Sequence, residues 1–514
     1  MKTEKIKPFV VIGWTAALVT GCSMIPSVGP DYEEPSLEVP EYKLPDAGQP
    51  TAKLTQTFEY EAAKEADDKR VVVSKDIVDK WWLRFNDPIL VKLVDGGVSN
   101  NVGFLMAQQR FEQRKFELLG SYAAFLPHFK GAGFWQRDWL GKRAKGGDGS
   151  GRNFQAQNTQ NVALDGNWEI DLFGGSRRAS EAAFAQAEAA GWTVEDAWVS
   201  LTTQIGMEYV NLRTTQRLID VARTNLVLQS ETYDILKSRL DSGIGDELAV
   251  NQCAYIVEET RAKIPTLMAL EEKYKNRLAI LAGEMPGSLD EQLKPVAVDR
   301  DWLLAPQKVA ELKLAMIRAR PDVKVAEREL AAATARIGVA KSQWYPKFYV
   351  SGLVGWQTTG RARIFRADSF IADLGPSFSW PIFEGGAIYA NVKATEARLG
   401  ELALAYEETI QKAYGEIRDA YSAYTQEYHR NTALKGAVKA ATDAVTISQD
   451  LYKNGLRDFN NVLDAQRSRL AYEEQFAQSR GQITVHLIEL YKALGGGLAY
   501  EQDGDRANEG ESRR

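Results

Sequence analysis

The chain has 514 residues, of which 26% are charged and 44% are hydrophobic, and its formal net charge is −6. A weakly acidic balance of this kind favours neither nucleic acid nor an anionic lipid surface as a partner. The three histidines, His128, His429 and His486, lack the spacing to cysteines or carboxylates that a metal centre requires, and there is no nucleophile elbow or zinc motif. We therefore expect no cofactor and no enzymatic activity.

The N-terminus, residues 1–21, is predicted to be an export signal. Lysines precede an apolar run from Pro8 to Leu18, which is too short to span a bilayer as a helix. The run leads into Val-Thr-Gly-Cys22, which has the form of a lipobox, so we expect cleavage before Cys22 and acylation of that residue. By resemblance to bacterial lipoproteins, Ser23 favours transfer to the outer membrane, where several acyl chains give a stable anchor. A short membrane anchor with an incidental cysteine is the alternative.

The second cysteine, Cys253, would be the one free thiol after lipidation of Cys22. No intrachain disulfide could then form, although the compartment is oxidising. Cys253 lies within a helical pattern, and we interpret it as a buried structural thiol.

Residues 22–88 are predicted to form a lipidated, extended arm, because residues 23–80 are rich in Pro and Glu and show little periodicity. The ordered body is expected to start at Trp81. Asp87 and Pro88 have the pattern of a helix N-cap followed by proline at the first helical position. A helix is predicted from there to Leu126.

Two β-strands are predicted over residues 127–140 and 160–173, around a solvated loop from Gly141 to Thr159. Apolar and polar side chains alternate in the second strand, as a sheet with one wet face requires. One face carries Val162, Leu164, Trp168, Ile170 and Leu172, and the other carries Asn161, Asp165, Asn167, Glu169 and Asp171. The second half of the chain repeats this alternation, with Phe370, Leu374, Phe378, Trp380 and Ile382 against Asp373, Ser377 and Ser379.

The alternation is compatible with two structures: an antiparallel sheet on a soluble core, or a membrane barrel with a polar lumen. Tryptophans are concentrated in and beside these segments, as aromatic belts at the membrane interfaces would require, and this favours the barrel. Four strands cannot close a barrel, since the smallest have about eight, and an open edge in lipid is costly. Copies of the chain must then share one barrel of about 8, 12 or 16 strands.

Two unusually long helices are predicted, over residues 177–240 and 386–453. Roughly 64 residues at about 1.5 Å per residue give a helix on the order of 95 Å long. Each is followed by a turn, at Gly243 or Gly455, and then by a returning helix of roughly 40 residues. Helices of this length are expected to pack along each other as coiled coils.

The two halves share one order of features, which indicates an internal duplication. Gly243 and Gly455 lie 212 positions apart in the sequence, and Gly283 and Gly495 have the same separation. We therefore divide the chain beyond the arm into a first repeat (89–290), a linker (291–310), a second repeat (311–497) and a polar tail (498–514).

Short motifs follow one another along almost the whole mature chain, and each alone is weakly specific. They are Cys22 with Val28-Gly-Pro-Asp-Tyr32 and Pro35; Trp81-Trp82 with Phe85 and Asp87-Pro88; Trp168-Glu-Ile-Asp-Leu-Phe-Gly174; Arg320-Pro-Asp322; Ile337-Gly-Val-Ala340 with Tyr345-Pro346; Pro381-Ile-Phe383 with Gly385-Gly386; Val462-Leu-Asp-Ala-Gln-Arg467; and Leu494-Gly-Gly-Gly497. In this order the chain resembles the TolC-type outer membrane efflux proteins, in particular the OprM-like lipoprotein branch that serves resistance-nodulation-division pumps.

The resemblance implies an α+β membrane protein that forms a homotrimer. Three chains would each supply four strands to a shared 12-stranded β-barrel, and their helices would form a coiled-coil barrel in the periplasm. Such proteins are passive conduits for small molecules, surrounded by outer membrane lipids and served by a periplasmic adaptor and an inner-membrane pump. The alternatives are a lipoprotein that only braces the envelope and a type I secretion conduit for peptides or proteins. The lipobox and Arg320-Pro-Asp322 favour the pump-associated branch.

Each long helix and its returning helix form a hairpin, the first with its turn at Gly243 and the second with its turn at Gly455. The resemblance also implies a pore gate at the turn of the second hairpin. Tyr452 and Arg457 match positions that lock the gate, and Arg457 could bond carboxylates of a neighbouring helix. Asp464 matches a pore-facing aspartate whose three copies would form an acidic, cation-favouring ring. Asn461 replaces the second acidic ring of some relatives. For each charged residue, the alternative is a solvated helix-end charge that contributes little.

The turn of the first hairpin departs from the family pattern. An aspartate that is common at the place of Ala249 is missing, and Asp246 and Glu247 are the candidate substitutes. Both turns are expected to contact the adaptor, through Gly243, Asp246, Glu247, Gly455 and Leu456. The sequence does not reveal the cargo, because the pump selects it.

Overall fold

The structure is a computed structural model, and it describes residues 27–35, 80–141, 154–295, 317–359 and 363–496. Several of the predictions lie outside these residues: the signal over 1–21, acylation at Cys22, most of the arm over 22–88, most of the linker over 291–310, and the tail over 498–514. The positions of the domain boundaries stay predictions.

Pairs of strands alternate with long helices along the chain. After a short 3-10 helix at Trp81–Phe85, the elements are α1 (Pro88–Asn100), α2 (Val102–Tyr122), β1 (His128–Gly141), β2 (Phe154–Ile170), α3 (Gly175–Asp241), α4 (Glu247–Leu281), α5 (Pro321–Ser342), β3 (Lys347–Thr359), β4 (Phe370–Ser379), α6 (Ala387–Lys453) and α7 (Phe459–Ala493).

The predicted start of α1 is confirmed. Asp87 accepts a hydrogen bond from the Ile89 amide at 3.0 Å, and Pro88 is the first helical residue. The other carboxylate oxygen of Asp87 accepts from the buried Tyr209 hydroxyl at 2.8 Å. Burial raises the pKa of Tyr209, so this phenol stays a donor. The cap therefore also fastens α1 to α3.

The single helix predicted as far as Leu126 is divided in the structure. Asn101 has an extended backbone between α1 and α2. Its side-chain oxygen accepts a hydrogen bond from the Phe104 amide at 2.9 Å, which caps a new helix. The last predicted turn, Ala123–Phe125, is a 3-10 helix.

The strands form one antiparallel sheet in the order β1-β2-β3-β4. β2 starts at Phe154, inside the predicted loop, because its ladder with β1 continues until Phe154 lies opposite Gly141. It ends at Ile170, earlier than predicted, where the Leu172 amide turns back to the Ile170 carbonyl at 2.9 Å. The predicted strand pair therefore exists in each half, with shifted ends.

The two faces of the sheet differ in polarity, as the alternation predicts. In the register, Leu164 lies between Gly131 and Val354, and large apolar side chains of this face are exposed, Leu374 by 80% and Phe378 by 70%. The apolar face carries Phe129, Trp135, Trp139, Val162, Leu164, Trp168, Phe348, Val354, Trp356, Phe370, Leu374 and Phe378. The polar face carries His128, Lys130, Asp165, Asn167, Glu169, Ser351, Asp373 and Ser377.

The long helices are as predicted, and the returning helices are shorter. α3 and α6 each contain 67 residues, about 100 Å of helix at 1.5 Å per residue. α4 and α7 each contain 35 residues, against the roughly 40 expected. Among the described residues, no helix is both long and apolar enough to cross a membrane.

The chain divides into two compact units. Of the described residues, the first unit contains 27–35, 111–141, 154–190, 326–359 and 363–406, and the second contains 80–110, 191–295, 317–325 and 407–496. The sheet lies in the first unit. The turns between α3 and α4 and between α6 and α7 lie in the second unit, together with the 3-10 helix at Trp81–Phe85.

Within the first unit, the motif that starts at Val28 packs as a short strap. The Val28 amide donates to the Phe173 carbonyl at 3.1 Å, and Asp31 pairs with the buried Arg178 at 2.5 Å. Tyr32 packs against Ala185, Ala331 and Ala332. The strap therefore connects the chain near its N-terminus to the end of β2 and to α3 and α5.

Within the second unit, the motif Arg320-Pro-Asp322 joins three helices. The buried Arg320 donates to both oxygens of Asp322 at 3.0 and 2.8 Å, to Glu416 of α6 at 2.7 Å, and to the carbonyl of Ala493 at the end of α7 at 2.7 Å. Desolvation disfavours its charge, but the bonds to Asp322 and Glu416 prevail and raise the pKa of Arg320. Since its partners lie on α6 and α7, this motif has a structural role.

Candidate functional site

The turns of the two hairpins, which the sequence selects as the functional region, have one backbone design. Gly243 and Gly455 lie in the left-handed region, with φ of +78° and +69°. The Gly243 amide donates to the Leu240 carbonyl at 2.9 Å, and the Gly455 amide donates to the Tyr452 carbonyl at 3.0 Å. Each helix thus ends in the tight closure that a glycine permits, which confirms both as turn glycines.

A cluster of apolar side chains next to these turns, here named the tip core, joins the two hairpins. The first hairpin contributes residues of α3 and α4, and the second contributes residues of α7. Its buried members are Leu236, Ala249, Val250, Cys253, Ile256, Phe459, Val462 and Leu463. The spacing of the α4 and α7 members is that of an amphipathic helix face, so periodicity alone could have identified this seam.

Tyr452, predicted to lock the gate, packs against the tip core. Its ring makes an edge contact with Phe459, with the ring centroids 5.1 Å apart. The guanidinium of Arg239, in the last turn of α3, lies 5.5 Å from the centroid of the Tyr452 ring. Sequence reasoning missed Arg239, whose only local signal is its basic charge at a helix C-terminus. Tyr452 therefore connects the two hairpins within one chain.

Arg457 and Asn461 are exposed beside the second turn. Among the residues that the structure describes, Arg457 has neither a hydrogen bond nor an ion pair, so the tie to a carboxylate that we expected is not made within this chain. The Asn461 amide group donates to the Asp458 carbonyl at 3.2 Å. Neither residue belongs to the tip core.

Asp464 is exposed, with 78% of its side chain accessible. Asp464 Oδ1 lies 4.0 Å from Nη1 of Arg467. Arg467 also donates through Nη2 to the hydroxyl of Tyr255 on α4, and its guanidinium lies 5.1 Å from the centroid of the Tyr255 ring. Sequence reasoning missed both partners. The i,i+3 spacing of Asp464 and Arg467 could have revealed the first.

The first turn uses its acidic residues differently. Asp246 caps α4, since its side chain accepts a hydrogen bond from the Leu248 amide at 3.0 Å. Glu247 is exposed in the first turn of α4. Ala249, at the position where an aspartate was expected, is buried in the tip core. The apolar residues Ile244 and Leu456 follow the two turn glycines and are 74% and 68% exposed.

Cys253 is 1% exposed in the tip core, which confirms the prediction of a buried thiol. Burial raises the pKa of Cys253 to about 11. The part of the chain that the structure describes contains no group of three or more His, Cys, Asp or Glu that could hold a metal ion.

Known proteins share both halves of this architecture. The sequence profile described as "Outer membrane efflux protein" matches residues 98–284 and 315–496. Nodulation protein T of Rhizobium leguminosarum biovar viciae is 28% identical over 458 residues, which cover 88% of this chain and 90% of that protein. Outer membrane protein OprJ of Pseudomonas aeruginosa is 26% identical over 460 residues, 86% of this chain and 92% of that protein. The solved structure of the outer-membrane channel OprN is 27% identical with a TM-score of 0.79, and the match covers 91% of this chain and 99% of that one.

Proposed function

This chain belongs to the outer membrane efflux protein family, and from that membership we propose that it is the passive exit duct of a tripartite efflux system. It is an outer membrane efflux channel. Its proposed partners are an inner-membrane pump, which supplies energy and selects the small-molecule cargo, and a periplasmic adaptor. The channel itself needs no catalytic group.

The observation that carries the proposal is the exposed apolar face of the four-stranded sheet. An apolar sheet face of this kind is stable where lipid covers it, and the opposite polar face suits a water-filled lumen. Among the described residues, β1 and β4 each pair with one strand only. A closed barrel needs these edges paired, so we propose a homotrimer with a shared 12-stranded barrel.

The N-terminal strap supports a lipid anchor close to this sheet. Ser27 is five residues after Cys22, and the next residue, Val28, bonds to the Phe173 carbonyl just after β2. Five residues of extended chain reach at most about 18 Å. Acyl chains on Cys22 would therefore enter the membrane leaflet beside the strand ends.

The hairpin turns are the proposed gate and the proposed adaptor-contact surface. Ile244 and Leu456 are apolar, exposed and adjacent to the turns, as a surface that packs on another protein requires. Gly243, Asp246, Glu247 and Gly455 flank them. In a trimer, three copies of Asp464 would form the acidic ring, with Tyr452 and Arg457 beside it and the neutral Asn461 near them.

Planar-bilayer recording of the purified full-length protein tests the proposal as a whole. We expect discrete conductance steps and a particle of three chains by native mass spectrometry. A monomer without conductance would contradict both the duct and the trimer. A lipoprotein that only braces the envelope would give the same absence of conductance.

A matched pair of substitutions in β2 tests the membrane orientation of the sheet. Leu164 lies on the apolar face, and Asn167 on the polar face. Leu164→Arg should reduce the stability of the inserted protein by about 2–4 kcal/mol if residue 164 is near the membrane midplane, whereas Asn167→Arg should be tolerated. Equal tolerance of the two would contradict the proposed orientation.

The gate is tested by two variants with different expected effects. Asp464→Ala should relieve block by divalent cations, because the carboxylate ring is lost. Arg457→Ser should raise the open probability if Arg457 bonds a neighbouring subunit. Unchanged recordings in both variants would move the gate to the first turn, around Asp246 and Glu247.

A further inference from the structure

One guanidinium connects the predicted pore carboxylate to the opposite hairpin. Arg467 lies one turn beyond Asp464 on α7, and its Nη1 is 4.0 Å from Asp464 Oδ1. Its Nη2 donates to the Tyr255 hydroxyl on α4, and the guanidinium also lies over the Tyr255 ring. Asp464 thus has a cationic neighbour whose position depends on another helix.

The backbone around these residues is fixed by buried neighbours. Cys253 and Ile256 of α4 pack with Val462 and Leu463 of α7 in the tip core. Tyr255 lies between Cys253 and Ile256 in the sequence and is exposed at the border of the tip core. Because the core holds α4 and α7 against each other, the Tyr255 hydroxyl has a defined position from which it can orient the guanidinium.

We propose that Arg467 is a specificity-determining residue of the pore, which screens the Asp464 carboxylate while Tyr255 holds it in place. This inference rests on the proposed function, since it requires Asp464 to face a pore. In a trimer each carboxylate of the ring would have one guanidinium beside it. Such a ring binds cations more weakly than three carboxylates alone, because the opposite charge reduces the local potential.

A second arginine–tyrosine contact also joins the two hairpins, but it does not involve Asp464. Arg239 of α3 lies over the Tyr452 ring, and this contact, like that of Arg467 with Tyr255, joins the two hairpins. Among the described residues, Arg239 makes no ion pair with Asp464, whereas Arg467 does. Loss of Arg239 should therefore affect the tie between hairpins without changing the affinity of the ring for cations.

The test is the half-blocking concentration of Mg²⁺ in planar-bilayer recordings of the full-length channel at about 0.1 M KCl, where screening by salt is moderate. Arg467→Gln should lower this concentration by about two- to fivefold, because the carboxylate ring loses the partial screening by the guanidinium groups. Arg467→Lys keeps the charge and should stay near wild type. Two control variants should leave the half-blocking concentration unchanged. Arg239→Gln removes the contact with Tyr452 that joins the hairpins, and Arg261→Gln removes an exposed charge paired with Glu258.

Coupling to Asp464 separates screening from an effect on the whole pore. In an Asp464→Asn background, Arg467→Gln should change the Mg²⁺ block much less than it does in the wild-type background. An equal change in both backgrounds would overturn the inference, and so would an unchanged block in Arg467→Gln when Asp464→Asn does relieve it. A wild-type protein without channels would instead contradict the proposed function, and channels insensitive to Asp464→Asn would contradict the placement of the gate.

Discussion

The turns of the two hairpins have the same backbone conformation, but different side-chain contacts stabilise them. Both close on a left-handed glycine, Gly243 or Gly455. In the first turn, Asp246 caps the following helix through the Leu248 amide. In the second, Asp458 occupies the equivalent position and its side chain makes no capping bond.

The difference continues in the side chains that flank the turns. The two turn glycines are 212 residues apart, and with the same offset Gly245 aligns with Arg457 and Glu247 aligns with Phe459. The first turn is capped by a side chain, while the second relies on the aromatic contact of Tyr452 with Phe459. Two turns with the same backbone closure can therefore differ in the side chains that hold them, and we expect the second turn to open more easily.

The largest expected effect comes from removing the aromatic contact of the second turn. Phe459→Ala truncates a buried side chain of the tip core and should lower the free energy of local opening by about 3–5 kcal/mol. Glu247→Ala, at the equivalent exposed position, should change it by less than about 0.5 kcal/mol. Hydrogen exchange of the amides over residues 459–470 measures this opening. Equal exchange in the two variants would show that packing of Phe459 does not hold the second turn.

The next effect concerns the reactivity of Cys253 in the tip core. Because burial raises its pKa to about 11, the thiol should react with an alkylating reagent at pH 8 about 100-fold more slowly than an ordinary thiol. Ala465→Cys, at the equivalent and less buried position of α7, should react rapidly in a Cys253→Ala background.

The same thiol predicts a pH dependence of stability. Above the ordinary thiol pKa and below about 11, the unfolded chain releases a proton that the folded chain retains. The contribution of Cys253 to stability is therefore complete below that window and is lost as the pH rises through it. Cys253→Ala should flatten the decline in thermal stability between about pH 9 and 11. An identical decline in both proteins would mean that Cys253 titrates normally.

A smaller effect is expected at the position where the two turns differ sterically. A Cβ on Gly245 would lie 2.6 Å from the Leu240 Cα, so Gly245→Ala must displace backbone and should cost about 1–3 kcal/mol locally. Arg457→Ala, at the corresponding position, only shortens an exposed side chain. Limited trypsin digestion should cut faster after Arg239 in Gly245→Ala, while Arg457→Ala leaves that cleavage rate unchanged. No acceleration in the first variant would contradict the steric difference.

The smallest effect separates the two caps. Asp246→Ala should destabilise the start of α4 by about 1 kcal/mol, because the Leu248 amide loses its acceptor. Asp458→Ala should cost less, since the Asp458 side chain makes no capping bond. Exchange rates of the amides in the first turns of α4 and α7 compare the two directly, and an equal loss at both would show that the caps are equivalent.

The elements that depend on local chemistry followed from the sequence. Alternation in β2 and β4 determined the two faces of the sheet, because side chains of a strand point to opposite sides in turn. Gly243 and Gly455 fixed the turns, and the Asp87-Pro88 pair fixed the start of α1. The burial of Cys253 followed from its place in a helical pattern. Each of these signals lies within a few residues of the feature it predicts.

The contacts that give the site its chemistry were decided by the tertiary structure. Arg467 and Tyr255 are 212 positions apart, and Arg239 and Tyr452 belong to different hairpins. The family resemblance predicts that Arg457 bonds a neighbouring helix, but among the described residues Arg457 has no ion pair or hydrogen bond. Arg467, beside Asp464, has both. The sequence determines which face of each helix is apolar. The rotation and axial position at which two helices pack then decide which polar side chains at the border of that face meet. Both quantities depend on the fit of many buried side chains at once, so a local sequence pattern does not reveal them.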